Sequence, residues 1–210
     1  MSAKILAVAQ QKGGAGKTTI AVQLGVWWAK KGRKVTLLDV DPQGSMKAWH
    51  AVREEAGVEG SPFAADLSGW KLSSEIDRLK GENDYIIVDT PPHAESDARV
   101  AVRAAQLILV PVQPSPMDWW ATKPTLDMAA KEKTKTLLVL NRLPARGKLA
   151  DAIREKIEGA GLALAAASLG NRSAFAVSMM EGRGVAETQP KGTAAAEIQA
   201  LAEEIEKLLK

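Results

Sequence analysis

The chain of 210 residues contains no cysteine. Disulfides, thiol nucleophiles and thiolate-held clusters are therefore excluded, and nothing points to an oxidising compartment. Aromatic residues are scarce apart from tryptophan, with one Tyr and two Phe against six Trp. The two histidines, His50 and His93, have no companion ligands in the sequence, so no metal is assigned to them. No apolar run approaches the ~18 residues that a membrane-crossing helix needs. The first strand-like segment starts almost at the N-terminus and leaves no room for a signal peptide, so a cytoplasmic protein is expected. Nor is there a large excess of one charge: 28 basic residues stand against 25 acidic, for a net charge of +3. That balance is compatible with a nucleic-acid patch without being evidence for one.

What is present is a regular alternation. Short apolar runs at Lys4–Ala9, Val35–Asp39, Tyr85–Asp89, Leu107–Val112, Thr136–Asn141 and Leu162–Ser168, with a weaker one near Pro62–Asp66, read as strands. Between them lie segments with helical spacing, such as Leu72, Ile76 and Leu79, or Leu149, Ile153 and Ile157. This predicts an α/β fold in one domain over residues 1–210, with a mostly parallel, twisted sheet of about seven strands and helices on both faces. The stretch Thr193–Lys210 carries an apolar stripe of Ile198, Leu201, Ile205 and Leu208 opposite Glu197, Glu203, Glu204 and Glu206. A membrane-surface helix would carry Lys and Arg on that polar face, so this one is expected to pack on the core.

The chemistry concentrates between the first strand and the first helix, in Gln11-Lys12-Gly13-Gly14-Ala15-Gly16-Lys17-Thr18-Thr19. This is a phosphate-binding P-loop in which the first glycine of the usual pattern is replaced by Gln11 and an additional lysine, Lys12, appears. Gly13, Gly14 and Gly16 let backbone N–H groups converge on an anion, and the following helix adds its positive end. Lys17 adds a full charge, and the Thr18 hydroxyl is placed for Mg²⁺. Two strands then end in acids, as Asp39-Val40-Asp41-Pro42-Gln43-Gly44 and Asp89-Thr90-Pro91-Pro92. In a parallel sheet such ends meet at the ligand crevice, where one acid can hold Mg²⁺ through water and another can activate the attacking water.

These three motifs together resemble the deviant-Walker ATPases of the ParA/MinD family, and most of all the short ParA proteins, ParF among them, that lack an N-terminal helix-turn-helix domain. The likeness continues through Val110–Asp118, Asn141-Arg142 and the stretch from Asn171-Arg172 to Ile198. The resemblance implies ATP and Mg²⁺ as cofactors, with Gly13, Gly14, Ala15, Gly16, Lys17, Thr18, Thr19, Asn141 and Arg142 around the nucleotide. Lys17 is expected on the β- and γ-phosphates, and Lys12 on the nucleotide of a partner subunit. Asp41 is expected to activate water, Thr18 to ligate Mg²⁺ with Asp89 acting through water, and Asp39 to support from behind. Asn141 resembles the adenine-reading residue.

The resemblance further implies a homodimer when ATP is bound, nonspecific DNA binding, and a ParB-like or adaptor activator protein. Arg146, Arg172 and Lys191 are the expected DNA contacts, with Lys148 and Arg183 as neighbours. A nucleoid-associated protein that positions a plasmid, chromosome origin or protein cluster follows, rather than one directed to membrane. The other readings are a MinD-like membrane-associated positioning ATPase and a metabolic P-loop enzyme.

Overall fold

The computed structural model describes residues 2–67, 71–92, 95–146 and 148–210; His93 lies outside them. The apolar runs become β1 (Lys4–Val8), β2 (Val35–Asp39), β3 (Phe63–Asp66), β4 (Tyr85–Asp89), β5 (Leu107–Val112) and β6 (Lys135–Leu140). The intervening segments fold as α1 (Lys17–Lys30), α2 (Ser45–Glu55), α3 (Leu72–Leu79), α4 (Glu95–Ala104), α5 (Pro116–Trp120) and α6 (Lys123–Glu132). Then come α7 (Leu149–Gly159), α8 (Ser173–Met180), α9 (Val185–Thr188) and α10 (Thr193–Leu208). The six strands form one sheet in the order β3-β2-β4-β1-β5-β6, paired in parallel throughout.

Both faces of the sheet are covered, as the unbroken apolar runs required. Side chains alternate between them with the period of a pleat. Leu6, Val8, Leu37 and Ile87 enter a core shared with α1, α9 and α10. Ala7, Leu38, Ile86 and Val88 enter the opposite core, under α3 and α4. Ile108, Val110, Leu138 and Leu140 continue that side beneath α6 and α7. Helix α1 lies close on β2 at Gly25, where an added Cβ would stand 2.7 Å from a Leu37 methyl. Trp28 is fully buried and stacks on Tyr85 with ring centroids 4.1 Å apart, while Trp27 is only partly buried.

The sheet has six strands rather than about seven. Leu162–Ser168 runs beside β6 but pairs with it only through one isolated bridge, Leu138 with Leu164; a second bridge, Leu143 with Gly170, lies beyond both segments. The reason is a competing acceptor: Glu204 of α10 takes the N–H groups of Ala166 and Ala167 at 3.0 and 3.2 Å. Those donors are lost to any ladder. Helix α10 packs on the body through Ile198, Leu201 and Ile205, all fully buried, whereas Leu208, the fourth member of the stripe, is exposed. Its acids also reach inward, since Glu206 accepts from the Trp28 indole at 2.8 Å.

Candidate nucleotide site

The register of the sheet assembles the site. Val8 of β1 is level with Asp89 of β4, and Asp89 is level with Asp39 of β2. Both acids therefore stand beside the loop that leaves β1. In that loop Gly14 and Gly16 have φ of +75° and +91°. Gly16 is doubly constrained, because a Cβ there would also lie 2.5 Å from the Asn141 Nδ2. A cavity of about 400 Å³ opens over the loop, lined by Gly13, Gly14, Gly16, Lys17, Thr18 and Thr19 together with Asp41, Gln43, Ser45, Pro92, Arg142 and Met179. Ala15 is buried beneath the loop, and its carbonyl accepts the Asn141 amide at 2.8 Å. Gln113 ties the loop from the other side, donating to the Gly14 carbonyl at 3.0 Å.

Lys17 is nearly buried; burial lowers its pKa, opposed by the charges of Asp89 and Asp41. A buried ammonium of this kind gains most from an arriving polyanion. Thr18 donates its hydroxyl to Asp89 Oδ2 at 2.5 Å. Asp89 is fully buried, and among the described residues its Oδ1 has no hydrogen-bond partner. Burial pushes its carboxyl up to about 7, against the pull of the Thr18 hydrogen bond. An orphaned buried oxygen beside a hydroxyl fits a hydrated divalent cation. No group of three or more acidic, His or Cys residues that could by itself hold a metal ion occurs among the described residues. The remaining ligands must then come from phosphate and water, which is the habit of Mg²⁺.

Asp39 and Asp41 divide their work. Both oxygens of Asp39 are taken by backbone: Oδ1 accepts from Asp41 N–H at 3.0 Å, and Oδ2 from Met46 and Lys47 N–H at 3.1 and 3.2 Å. It thus caps the start of α2 and fixes the turn that carries Asp41. Burial raises its pKa while these three bonds and the neighbouring Asp41 modify it. Asp41 accepts from Gln43 N–H at 3.0 Å and lines the phosphate cavity.

A second, smaller cavity of about 170 Å³ shares Gly16, Thr19 and Arg142 with the first, and is otherwise lined by Asn141, Gly170, Asn171, Arg172, Phe175 and Ala176. Asn141 is nearly buried, and besides bonding Ala15 its Oδ1 accepts the Arg142 N–H at 2.9 Å. Arg142 stands at φ +55°, a turn that places it against both cavities.

Residues 6–206 match the CobQ/CobB/MinD/ParA nucleotide binding domain. The chain belongs to this family. It is 32% identical over 205 residues to the maintenance of carboxysome distribution protein A of Halothiobacillus neapolitanus, with 91% of each chain covered. The cell division ATPase MinD of Pyrococcus furiosus superposes with a TM-score of 0.81 at 25% identity, covering 98% of this chain and 99% of that one. The septum site-determining protein MinD of Pyrococcus horikoshii, complexed with Mg-ADP, superposes with a TM-score of 0.81 at 22% identity, covering 98% and 97%, a likeness of fold.

Within this ParA/MinD-type domain Lys12 stands apart from Lys17. It lines neither cavity, and its ammonium is held by Asp118 Oδ2 at 2.6 Å. Asp118 is nearly buried in α5, where Ser115 caps the helix by accepting the Asp118 N–H at 3.1 Å and donates its hydroxyl to the same carboxylate. The Ser-Pro-x-Asp pattern carried this cap in the sequence, although the partner of Lys12 was not deduced from it.

Of the basic residues, Arg146, Lys148, Arg183 and Lys191 are exposed. Arg172 is exposed as well, but it is paired. Its guanidinium grips Glu197 through Nε at 3.0 Å and Nη2 at 2.6 Å, and it lines the smaller cavity. Phe175, Asn171 and Met179 at the cavities, like Asp118, were missed by the sequence reading, since apolar or amide residues in a helix-rich tail carry no motif of their own.

Proposed function

We propose that this chain is a ParA-type ATPase that pairs as a homodimer around Mg²⁺–ATP, binds DNA without sequence preference in that state, and is released when a partner stimulates hydrolysis. The observation that carries the reading is the separation of the two P-loop lysines. Lys17 lines the phosphate cavity of its own chain, whereas Lys12 is not among the lining residues and is held by Asp118. A loop lysine with no work at its own nucleotide is available to the nucleotide of a second copy. There it would supply transition-state charge in the manner of an arginine finger.

In each site the loop N–H groups and Lys17 hold the phosphates, Asp41 orients and activates the attacking water, and Asp39 keeps Asp41 in place. Thr18 and, through water, Asp89 would hold Mg²⁺, which when bound neutralises charge on the phosphates. Asn141 and Arg142 border the base. Exposed Val177 and Met180 adjoin Ala176 and Met179 of the two cavity linings and give a second copy apolar surface to cover.

DNA contact falls to Arg146 and Lys191, with Lys148 and Arg183 beside them; all four are exposed. A membrane-directed reading needs the apolar stripe of α10 to be available. Ile198, Leu201 and Ile205 are instead fully buried, and Glu197, Glu204 and Glu206 bond the body. This favours the nucleoid as the surface, in the cytoplasm, with a plasmid, a chromosome origin or a protein cluster as cargo and a ParB-like or adaptor protein as activator. The carboxysome-distribution relative makes a protein cluster a suitable cargo to test first.

The test is fluorescence anisotropy of an arbitrary DNA duplex titrated with the protein plus ATP, ADP or no nucleotide, repeated over a range of salt. Binding is expected with ATP and Mg²⁺ alone, weakening steeply with salt, and weaker in Arg146→Glu and Lys191→Glu. Equal binding with ADP, or ATP-dependent binding to anionic vesicles in place of DNA, would sink the reading.

A further inference from the structure

The smaller cavity poses a problem of recognition. It adjoins the phosphate cavity across Gly16, Thr19 and Arg142, so a nucleotide seated on the loop extends its sugar and base into it. Asn141, the residue with the strongest claim on the base, already spends one amide hydrogen on Ala15 and one lone pair on Arg142. What faces the cavity from the other side is the segment that carries Arg172 and Phe175.

That segment is held by α10. Glu197 accepts the Gly170 N–H at 3.1 Å and binds the Arg172 guanidinium through both oxygens. The guanidinium lies close on Gly170, where a Cβ would stand 3.0–3.1 Å from its atoms. Gly170, Arg172 and Glu197 therefore form one unit in which the absence of a side chain lets a planar cation lie down and a carboxylate fixes its orientation. Glu197 neutralises the charge of Arg172, which makes Arg172 a poor ligand for DNA phosphate. It leaves the guanidinium face as a flat, polarisable surface of the kind on which nucleobases rest.

We infer that Arg172, oriented by Glu197, forms with Phe175 the wall of the base pocket, so that Glu197 in α10 is a positioning residue for nucleotide affinity. This rests on the nucleotide-binding reading above and moves Arg172 from the DNA surface to the nucleotide.

The test compares binding of ATP and of inorganic tripolyphosphate, which has no base, by calorimetry in wild type, Arg172→Ala, Arg172→Lys, Glu197→Ala and Glu197→Gln. DNA affinity is measured in parallel at saturating ATP. Loss of a stacked base contact should weaken ATP binding about tenfold in Arg172→Ala and Glu197→Ala. Tripolyphosphate binding should be unchanged, as should DNA affinity once ATP saturates. Glu197→Gln, which keeps one accepting oxygen of the two, should fall in between, and KM for ATP should rise with kcat unaltered. The Lys and Gln variants keep the test alive if an alanine variant fails to fold.

Unchanged ATP affinity with lost DNA binding would overturn the inference and return Arg172 to the DNA surface. Equal weakening for ATP and tripolyphosphate would also overturn it, by showing that the segment supports only the phosphate loop. Failure of wild type to bind either ligand would refute the nucleotide reading itself.

Discussion

Replacing Asp118 with asparagine should strengthen ATP-dependent dimerisation. If Lys12 serves the nucleotide of a second copy, as proposed, it must first leave Asp118. The pair is 2.6 Å apart, with Lys12 partly exposed and the Asp118 side chain 6% exposed. When the lysine departs, a nearly buried carboxylate remains with only the Ser115 hydroxyl. An exposed pair is worth ~0.2–1 kcal/mol, and breaking a buried one costs ~3–5 kcal/mol. This half-buried pair falls between, at about 1.5 kcal/mol per subunit. On the proposed reading two lysines leave together when two chains meet, so the opposing cost is about 3 kcal/mol, or roughly 100-fold in the dimer dissociation constant. Asparagine is isosteric, still accepts from Ser115, and leaves the backbone cap of α5 intact. The assay is sedimentation equilibrium with ATP and Mg²⁺ in an Asp41→Ala background that slows turnover. A tighter dimer in Asp41→Ala/Asp118→Asn is expected. An unchanged or weaker dimer would refute the idea that Asp118 holds Lys12 back.

Asp89→Asn should stabilise the nucleotide-free protein in EDTA, and the gain should grow with pH. The folded-state carboxyl sits at about 7, above its unfolded value of 3.8, so burying it carries no penalty below the unfolded value; the penalty grows as pH rises between the two values and is complete above the folded one. Thermal melts between pH 5 and pH 8 should separate the two proteins by up to about 4 kcal/mol at the alkaline end, and a pH-independent difference would contradict the assignment. Mg²⁺ with ATP should then raise the melting temperature of wild type but not of Asp89→Asn. Gly16→Ala combines a left-handed backbone with a contact of 2.5 Å to Asn141. It should cost about 1–3 kcal/mol in stability and abolish nucleotide binding, checked by urea unfolding and calorimetry.

The parts of the site that lie close together in sequence were legible there. Gly-Lys-Thr-Thr between an apolar strand and a helix has one structural use, and the strand-terminal acids had to fall at one edge of a parallel sheet. The register that brings Asp39, Asp89 and Val8 level was not legible in the sequence, because strand ranges alone do not fix which residues pair. What the sequence hid was mostly who satisfies whom. Leu162–Ser168 had the composition of a strand, but Glu204, some forty residues on by the count of the chain, took its backbone donors. Arg172 was expected on DNA from the resemblance, and nothing in the sequence signalled that Glu197 would lie against it. Asp118 carried a visible helix cap and an invisible partner, Lys12, because the ion pair joins segments far apart in the chain. The tail glutamates read as a solvated face, yet three of them bond the body, which no periodicity reports.

The central claim is that Lys12 acts on the nucleotide of a second copy. The direct measurement is sedimentation velocity of wild type and Lys12→Ala with ATP and Mg²⁺ and with ADP and Mg²⁺, alongside calorimetry of ATP binding. The account predicts that wild type dimerises with ATP and stays monomeric with ADP, and that Lys12→Ala binds ATP normally and remains a monomer. A Lys12→Ala protein that dimerises as well as wild type, or a wild type that binds ATP and never dimerises, would contradict it.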